Sequence, residues 1–90
     1  MSLFAVICRD HAGKLQTRLD TRDKHLTFLK DQPGLQMAGP LIEDGEMRGS
    51  LLIVEAEDLT RVKDWAAQDP YKAAGLFASV EVIEWKKVIG

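Results

Sequence analysis

Apolar residues along the chain predict four β-strands. The first run, Leu3–Cys8, contains six apolar residues without a break, which is typical of a strand buried on both faces. A second core strand centres on Leu51–Val54 and extends over Met47–Glu57, and the last strand covers Val80–Val88. Alternating positions over Leu35–Leu41 indicate one more strand, although its Gly-Pro pair weakens the pattern.

Two stretches have the spacing of amphipathic helices. The first has a one-sided stripe with spacings of four, three, four and three residues, formed by Leu15, Leu19, Arg22, Leu26 and Leu29. Pro33 ends this helix, because proline lacks a backbone N–H and disfavours helical geometry in the residue before it. The second helix follows Asp58, a good N-cap residue, and a short helical turn opens at Asp69-Pro70 and closes at Gly75.

The resulting order of elements is β-α-β-β-α-β, with an Asp-Gly hairpin signal between the second and third strands. Two βαβ units around an antiparallel sheet, with both helices on one face, make the ferredoxin-like architecture of the α+β class. The 90 residues fall well below a typical length of roughly 150 per domain, so residues 1–90 are predicted to form a single domain. The other sheet face has no helix to cover it, which predicts a homodimer with a second copy as the cover.

Composition and charge exclude several classes of protein. The 12 Lys and Arg residues are outnumbered by 14 Asp and Glu residues, so the chain lacks the basic footprint of a nucleic-acid-binding domain. Its longest apolar run is far shorter than the roughly 18 residues of a membrane span and has no basic flank typical of a secretion signal. One cysteine cannot form an intrachain disulfide. We therefore expect a cytoplasmic protein that binds neither nucleic acid nor membranes.

Several segments resemble motifs of the YciI-like (YCII-related) family. Arg22–Leu29 is similar to the family's Arg-x-x-His-Leu-x-x-Leu helix, and Ala38–Pro40 resembles an Ala-Gly-Pro element on the second strand. The best match is Asp64–Tyr71 followed by Ala74–Phe77, and Trp85–Val88 resembles the family's aromatic-Lys-Lys ending. Together these motifs cover nearly the whole chain in the family's order.

The resemblance implies a ferredoxin-like fold of the dimeric α/β-barrel type, similar to muconolactone isomerase. It also implies a cleft that holds a His–Asp pair, which the matching motifs assign to His25 and Asp69. Most such proteins have no assigned reaction, and some are linked to lactone or chloroaromatic breakdown. The connection Leu41–Arg48 is shorter than the Gly-rich loop of many relatives, so the substrate would differ from theirs if that loop shapes the pocket.

His25 and Asp69 are the candidate catalytic residues. His25 lies one position before Leu26 of the apolar stripe, and an imidazole at such a boundary can exchange a proton near neutral pH. A carboxylate at Asp69 could accept a hydrogen bond from one imidazole nitrogen and orient the ring. The alternatives are a structural histidine bound to backbone and an aspartate that only caps the helix beginning at Pro70.

Five further residues are candidates for binding a substrate. Arg22 occupies a stripe position where an apolar residue is expected, so its guanidinium either reaches water along the sheet or receives an anion. Gly39 and Pro40 would let a ligand approach the backbone, and Ser50 offers a hydroxyl on the next strand. Tyr71 could place its phenol near the histidine, or bury its ring beneath the short helix.

Together with the family resemblance, these residues predict a small-molecule enzyme of the lyase, isomerase or hydrolase type, acting by general acid–base chemistry on a small carbonyl, lactone or aromatic-derived acid. Nothing in the sequence requires a metal or an organic cofactor, and Cys8 is expected to be a small buried apolar residue. The alternative is a non-catalytic metabolite-binding or dimerising accessory module. A metal site formed by Asp10, His11 and His25 is a more remote third possibility.

Overall fold

The computed structural model describes all residues from 1 to 90, and its elements follow the predicted order. The elements are β1 (Ser2–Asp10), α1 (Leu15–Lys30), β2 (Leu35–Glu43), β3 (Glu46–Ala56), α2 (Leu59–Ala66), α3 (Pro70–Ala73) and β4 (Phe77–Trp85). The predicted ferredoxin-like α+β fold is therefore confirmed, with the short helical turn present as α3. None of the helices is long and apolar enough to cross a membrane.

The sheet is antiparallel throughout, with the strand order β2-β3-β1-β4. The central strand β1 pairs with β3 and β4, so that Cys8 lies opposite Ser50 on one side and Val80 on the other. Because side chains alternate across a strand, Phe4, Val6 and Cys8 share one face. That face packs against the helices in a core completed by Leu29, Leu52, Val54, Val62 and Ala66.

The opposite face of the sheet is apolar and has no covering element within the chain. One cross-strand row on it runs through Met37, Ile53, Ala5 and Ile83. The two outer members of this row are 60% and 51% exposed, whereas the two central members are buried. Trp85 adds a partly exposed indole at the end of β4. We call the surface formed by Met37, Leu51, Ile83 and Trp85 the open sheet face.

The predicted hairpin turn is present in the structure, whereas the bounds of the last strand differ from the prediction. Asp44 and Gly45 both have positive φ angles, 52° and 77°, as a two-residue hairpin turn between β2 and β3 requires. The last strand differs from the prediction, because it begins at Phe77 instead of Val80 and ends at Trp85. Phe77 already pairs with Asp10, and β1 supplies no partner beyond Leu3, which pairs with Trp85.

Candidate functional site

A cavity of about 210 Å³ opens between α1 and the β2–β3 side of the sheet, and α3 closes one end of it. Its wall includes six of the seven residues that the sequence predicts for the site: Arg22, His25, Gly39, Pro40, Ser50 and Tyr71. The seventh, Asp69, is buried and reaches the cavity through its contact with His25. The fold thus brings together residues from four elements.

His25 and Asp69 are joined by a hydrogen bond between Nδ1 of the imidazole and Oδ1 of the carboxylate, 2.9 Å long. Both side chains are buried, at 7% and 3% exposed, so His25 lies deeper than the helix–sheet boundary that the sequence predicts. An ionised carboxylate can only accept a hydrogen bond, so Nδ1 carries the proton. Nε2 makes no bond within the chain, yet no buried side-chain polar atom lacks a partner, so Nε2 reaches the cavity.

Asp69 also caps α3. The same oxygen, Oδ1, accepts a hydrogen bond of 2.9 Å from the backbone N–H of Tyr71, and Pro70 occupies the first turn of the helix. The two interpretations of Asp69 are therefore compatible, because one carboxylate oxygen serves both contacts. The cap fixes the direction of the carboxylate, and the carboxylate in turn fixes the orientation of the imidazole.

The ring of Tyr71 packs between the other polar residues of the site. It stacks on His25 with 3.9 Å between ring centroids and an interplanar angle of 17°, and Phe77 meets it edge-on. The guanidinium of Arg18 lies over the Tyr71 ring, 4.7 Å from the centroid. Burial raises the pKa of Tyr71, so its phenol is neutral near pH 7. Tyr71 consequently has both a packing role and a place in the cavity wall.

Arg18 is the site residue that sequence reasoning missed. It is only 3% exposed, and its Nε and Nη2 atoms donate to the two carboxylate oxygens of Asp10 at 2.8 and 2.9 Å. Nη2 also donates to Oγ of Ser50 at 3.0 Å. Burial acts to lower the pKa of Arg18, but Asp10 and, to a smaller extent, Tyr71 outweigh burial and raise it. The guanidinium is therefore a fixed positive charge in the cavity wall.

The predicted stripe of α1 is wrong at Leu19, while Leu15 in the first turn is partly buried as expected. Leu19 is 47% exposed, whereas Arg18 faces the sheet, together with His25 and Leu29. A shift of one residue turns the helix by about 100°, enough to exchange a solvent-facing position for a buried one. The spacing of positions 18, 22, 25 and 29 is also helical, so a search for polar residues at helical spacing would have found Arg18.

The remaining candidates line the rim. Arg22 is exposed yet contributes to the cavity wall, and its positive charge acts to lower the pKa of Tyr71. Pro40 lies on the edge strand β2 opposite Ser50, where a missing N–H breaks no inner sheet ladder. A Cβ added at Gly39 would meet no atom within 4 Å, so crowding within the chain does not require glycine there.

Cys8 and the charged loop beside the cavity do not form a further reactive centre. Burial raises the pKa of the Cys8 thiol to about 12, so it remains protonated at neutral pH. No group of three or more His, Cys, Asp or Glu side chains is disposed to hold a metal ion, and Asp10 is occupied by Arg18. His11 is exposed and lines a separate cavity of about 300 Å³ at the end of β1.

Known proteins share this fold and much of this sequence. A protein of unknown function from Haemophilus influenzae is 39% identical over 94% of this chain and 97% of its own length, and the protein YciI from Escherichia coli is 35% identical over 96% and 98%. The solved structure of 5-chloro-2-hydroxyhydroquinone dehydrochlorinase (TftG) from Burkholderia phenoliruptrix, in complex with 2,5-dihydroxybenzoquinone, has a TM-score of 0.85 and 37% identity and covers 93% of each chain. Residues 2–86 match the family model described as the YCII-related domain. The chain therefore belongs to the YCII-related domain family.

Proposed function

We propose that the chain is a small-molecule enzyme in which His25, oriented by Asp69, acts as the general acid–base. One observation carries this proposal: Nδ1 of the imidazole is held at 2.9 Å by a buried carboxylate, which leaves Nε2 for a molecule in the cavity. A positioned general acid–base typically contributes about 10²–10⁴-fold to a rate. The rest of the acceleration would come from the charged and polar groups around the substrate.

The size of the cavity supports a small substrate. Its volume of about 210 Å³ is below the roughly 300–1,000 Å³ of pockets for drug-sized ligands, so one six-membered ring with its substituents is near the upper limit. The guanidinium donors of Arg18 and of the rim residue Arg22 in the cavity wall support a substrate with carbonyl, hydroxyl or carboxyl oxygens. The substrate class is therefore a small carbonyl, lactone or aromatic-derived acid.

The chemistry would begin with proton transfer to Nε2 of His25. Removal of a proton from a carbon next to a carbonyl moves the C–H electron pair to the carbonyl oxygen, which the N–H groups on the Arg18 side of the cavity would stabilise by hydrogen bonds. Return of the proton at another carbon completes an isomerisation, and departure of a leaving group completes an elimination. For a lactone, Nε2 would instead take a proton from the attacking water.

Similarity to TftG supports the elimination branch of this proposal. TftG is a dehydrochlorinase, and the molecule bound to it, 2,5-dihydroxybenzoquinone, is a single ring with oxygen substituents. Such a ring matches the size and polarity that the cavity of this chain would accept. The steps above use only the side chains of this chain, and we propose no cofactor for them.

The proposal includes a homodimer in the cytoplasm. The open sheet face, formed by Met37, Leu51, Ile83 and Trp85, exposes apolar side chains that a second copy would remove from water. A two-fold arrangement places the same face of each copy against the other, so one apolar surface is sufficient for both partners. A single buried thiol without a disulfide partner is compatible with a reducing compartment.

A turnover assay tests the enzyme proposal. The first substrate is 5-chloro-2-hydroxyhydroquinone, followed by a set of small lactones and hydroxy acids, with chloride release and ring absorbance as readouts. We expect turnover that falls sharply in His25→Asn and is unchanged in His11→Asn, which replaces the exposed histidine outside the cavity. Binding without turnover, unaffected by His25→Asn, would instead identify the chain as a metabolite-binding module.

A further inference from the structure

Four ionisable side chains form one buried cluster beside the cavity: Asp10, Arg18, His25 and Asp69. Each of the four side chains is 7% exposed or less. Asp10 engages Arg18 through both carboxylate oxygens, so the charges of this pair cancel locally. The only ion-pair partner of Asp69 is His25. With neutral His25, the cluster has a net charge of −1.

The net charge restricts what can enter the cavity. An anion that binds beside neutral His25 would bring the buried cluster to −2, and uncompensated buried charge is strongly unfavourable. Arg22 on the rim is exposed and its charge is felt by Tyr71, but solvent screens it, so Arg22 compensates a bound anion only in part. Protonation of His25 would supply a positive charge next to Nε2. With one proton on His25, the cluster and its bound anion together have a net charge of −1, the same as the cluster without an anion.

The other groups that surround His25 do not take up that proton near neutral pH. The segment around α3 places the carboxylate of Asp69 and the phenol of Tyr71 against His25. Burial raises the pKa of that phenol. On the sheet side, β3 contributes the hydroxyl of Ser50, β2 contributes uncharged residues, and the thiol of Cys8 on β1 has a pKa of about 12. Arg18 on its own helix is always charged. Nε2 of His25 is therefore the position in the cavity wall where the compensating proton would reside.

We infer that the cavity binds a small monoanion, such as a carboxylate or an ionised enol, together with one proton that Nε2 of His25 takes from solvent and donates as a hydrogen bond to the anion. The inference rests on the proposed function for the location of the site and the role of Nε2, but it needs no turnover. The one bond that forms is the N–H bond of Nε2, made with a proton from solvent, and that proton stays on nitrogen in the complex. In such a complex Nε2 acts only as a proton donor, so the proton abstraction of the proposed function would require an uncharged substrate beside neutral His25.

Anion binding and protonation of His25 favour each other. The bound anion stabilises the imidazolium, so the pKa of His25 is higher in the complex than in the free protein. Affinity for the anion is then greatest below the free-state pKa. It falls by about tenfold for each pH unit between the free and bound values, because the proton must be taken up on binding.

Benzoate is the probe for this inference, since it is a monoanion the size of one ring. The chain has only two histidines, so ¹³C-labelled imidazole signals in NMR spectra report both sites, with exposed His11 as an internal control. We expect saturating benzoate to raise the pKa of His25 by about one unit or more, a tenfold linkage, and to leave His11 unchanged. An unchanged or lowered His25 pKa, or no benzoate binding at about 10 mM, would overturn the inference.

Two comparisons make the test specific. Calorimetry with His25→Gln should give a benzoate affinity that lacks the fall of about tenfold per pH unit. The control variant His11→Gln should retain this fall. If His25→Gln does not fold, the NMR titration of the wild type decides alone. Phthalate, which carries two carboxylates at about pH 8, should bind at least about tenfold more weakly than benzoate, because one histidine compensates one charge. Equal or tighter phthalate binding would contradict the charge argument.

These results separate the inference from the proposed function. Benzoate binding with proton uptake, but no turnover of any compound in the assay set, supports the inference and counts against the enzyme. Turnover that depends on His25, with an unshifted His25 pKa in the benzoate complex, supports the enzyme and overturns the inference.

Discussion

Oδ1 of Asp69 accepts a hydrogen bond from Nδ1 of His25 at 2.9 Å, although 44 positions separate the two residues along the chain. The same oxygen accepts the backbone N–H of Tyr71, so the contact that orients the imidazole also caps α3. Stability and site geometry therefore share one carboxylate oxygen. Variants at either residue need readouts that distinguish the two roles.

Replacement of His25 should affect both stability and activity. His25→Asn removes a ring that is stacked on Tyr71 and buried beside Asp69, so we expect a loss of about 1–3 kcal/mol in the free energy of unfolding. Activity should fall by about 10²–10⁴-fold. Urea denaturation and the turnover assay measure the two effects. His11→Asn, at an exposed loop position, should change stability by less than about 0.5 kcal/mol. Equal effects at both histidines would contradict the assignment.

Two substitutions at Asp69 should separate its roles. Asp69→Asn keeps an oxygen for the Tyr71 N–H, so we expect a small loss of stability, below about 1 kcal/mol, together with a large loss of turnover. Asp69→Ala removes the cap and leaves Nδ1 of His25 unpaired, which should cost about 2–3 kcal/mol. Thermal and urea unfolding measure the difference. Normal turnover in Asp69→Asn would show that the carboxylate serves only the helix.

The Asp10–Arg18 pair should behave as one unit in a double-mutant cycle. Removal of either partner leaves a buried charge without compensation, so Arg18→Met or Asp10→Leu should each cost about 3–5 kcal/mol of stability. The double variant should lose much less than the sum. Arg9 provides the matched control, because its ion pair with Glu43 is solvent-exposed and Arg9→Met should cost less than about 1 kcal/mol. Additive losses at Asp10 and Arg18 would argue against coupling.

Burial of Cys8 predicts a pH dependence of stability in the alkaline range. The folded-state pKa of the thiol is about 12, against 9.0 for a free thiol, so below pH 9 neither state loses the proton. Above pH 9 only the unfolded chain ionises, and stability should decrease by at most about 1.4 kcal/mol per pH unit. Urea denaturation between pH 8 and about 10.5 measures this slope. Cys8→Ala should show a smaller slope of stability against pH. An identical slope in this variant would show that the Cys8 thiol does not cause the pH dependence.

The open sheet face predicts the effect of charge on assembly. Sedimentation at micromolar concentration should give about twice the chain mass for the wild type. Ile83→Glu places a carboxylate in the apolar row of that face and should shift the equilibrium to monomer. Leu19→Glu is the matched control, because Leu19 is similarly exposed but lies on α1 on the other side of the sheet. A wild-type monomer, or equal effects of the two variants, would argue against this interface.

The architecture could be predicted from the sequence because its signals are local. Six uninterrupted apolar residues mark the central strand, Asp44-Gly45 supplies the positive φ angles of the hairpin, and the chain after Lys30 leaves the helix before Pro33. Each of these signals acts on neighbouring residues. The family motifs extended the prediction to five of the six candidate residues in the cavity wall, all but Ser50, since those motifs combine local spacing with chain order.

Only the tertiary structure decided which side of α1 meets the sheet. Counting apolar residues favours Leu19, but the energy of burying Arg18 depends on Asp10 and Ser50, which come from two different strands. The end of β4 was likewise decided by where its partner β1 begins. The sequence by itself therefore determined the order of strands and helices. The buried charge cluster, and the deep placement of His25 within it, depend on contacts between distant segments that local periodicity does not contain.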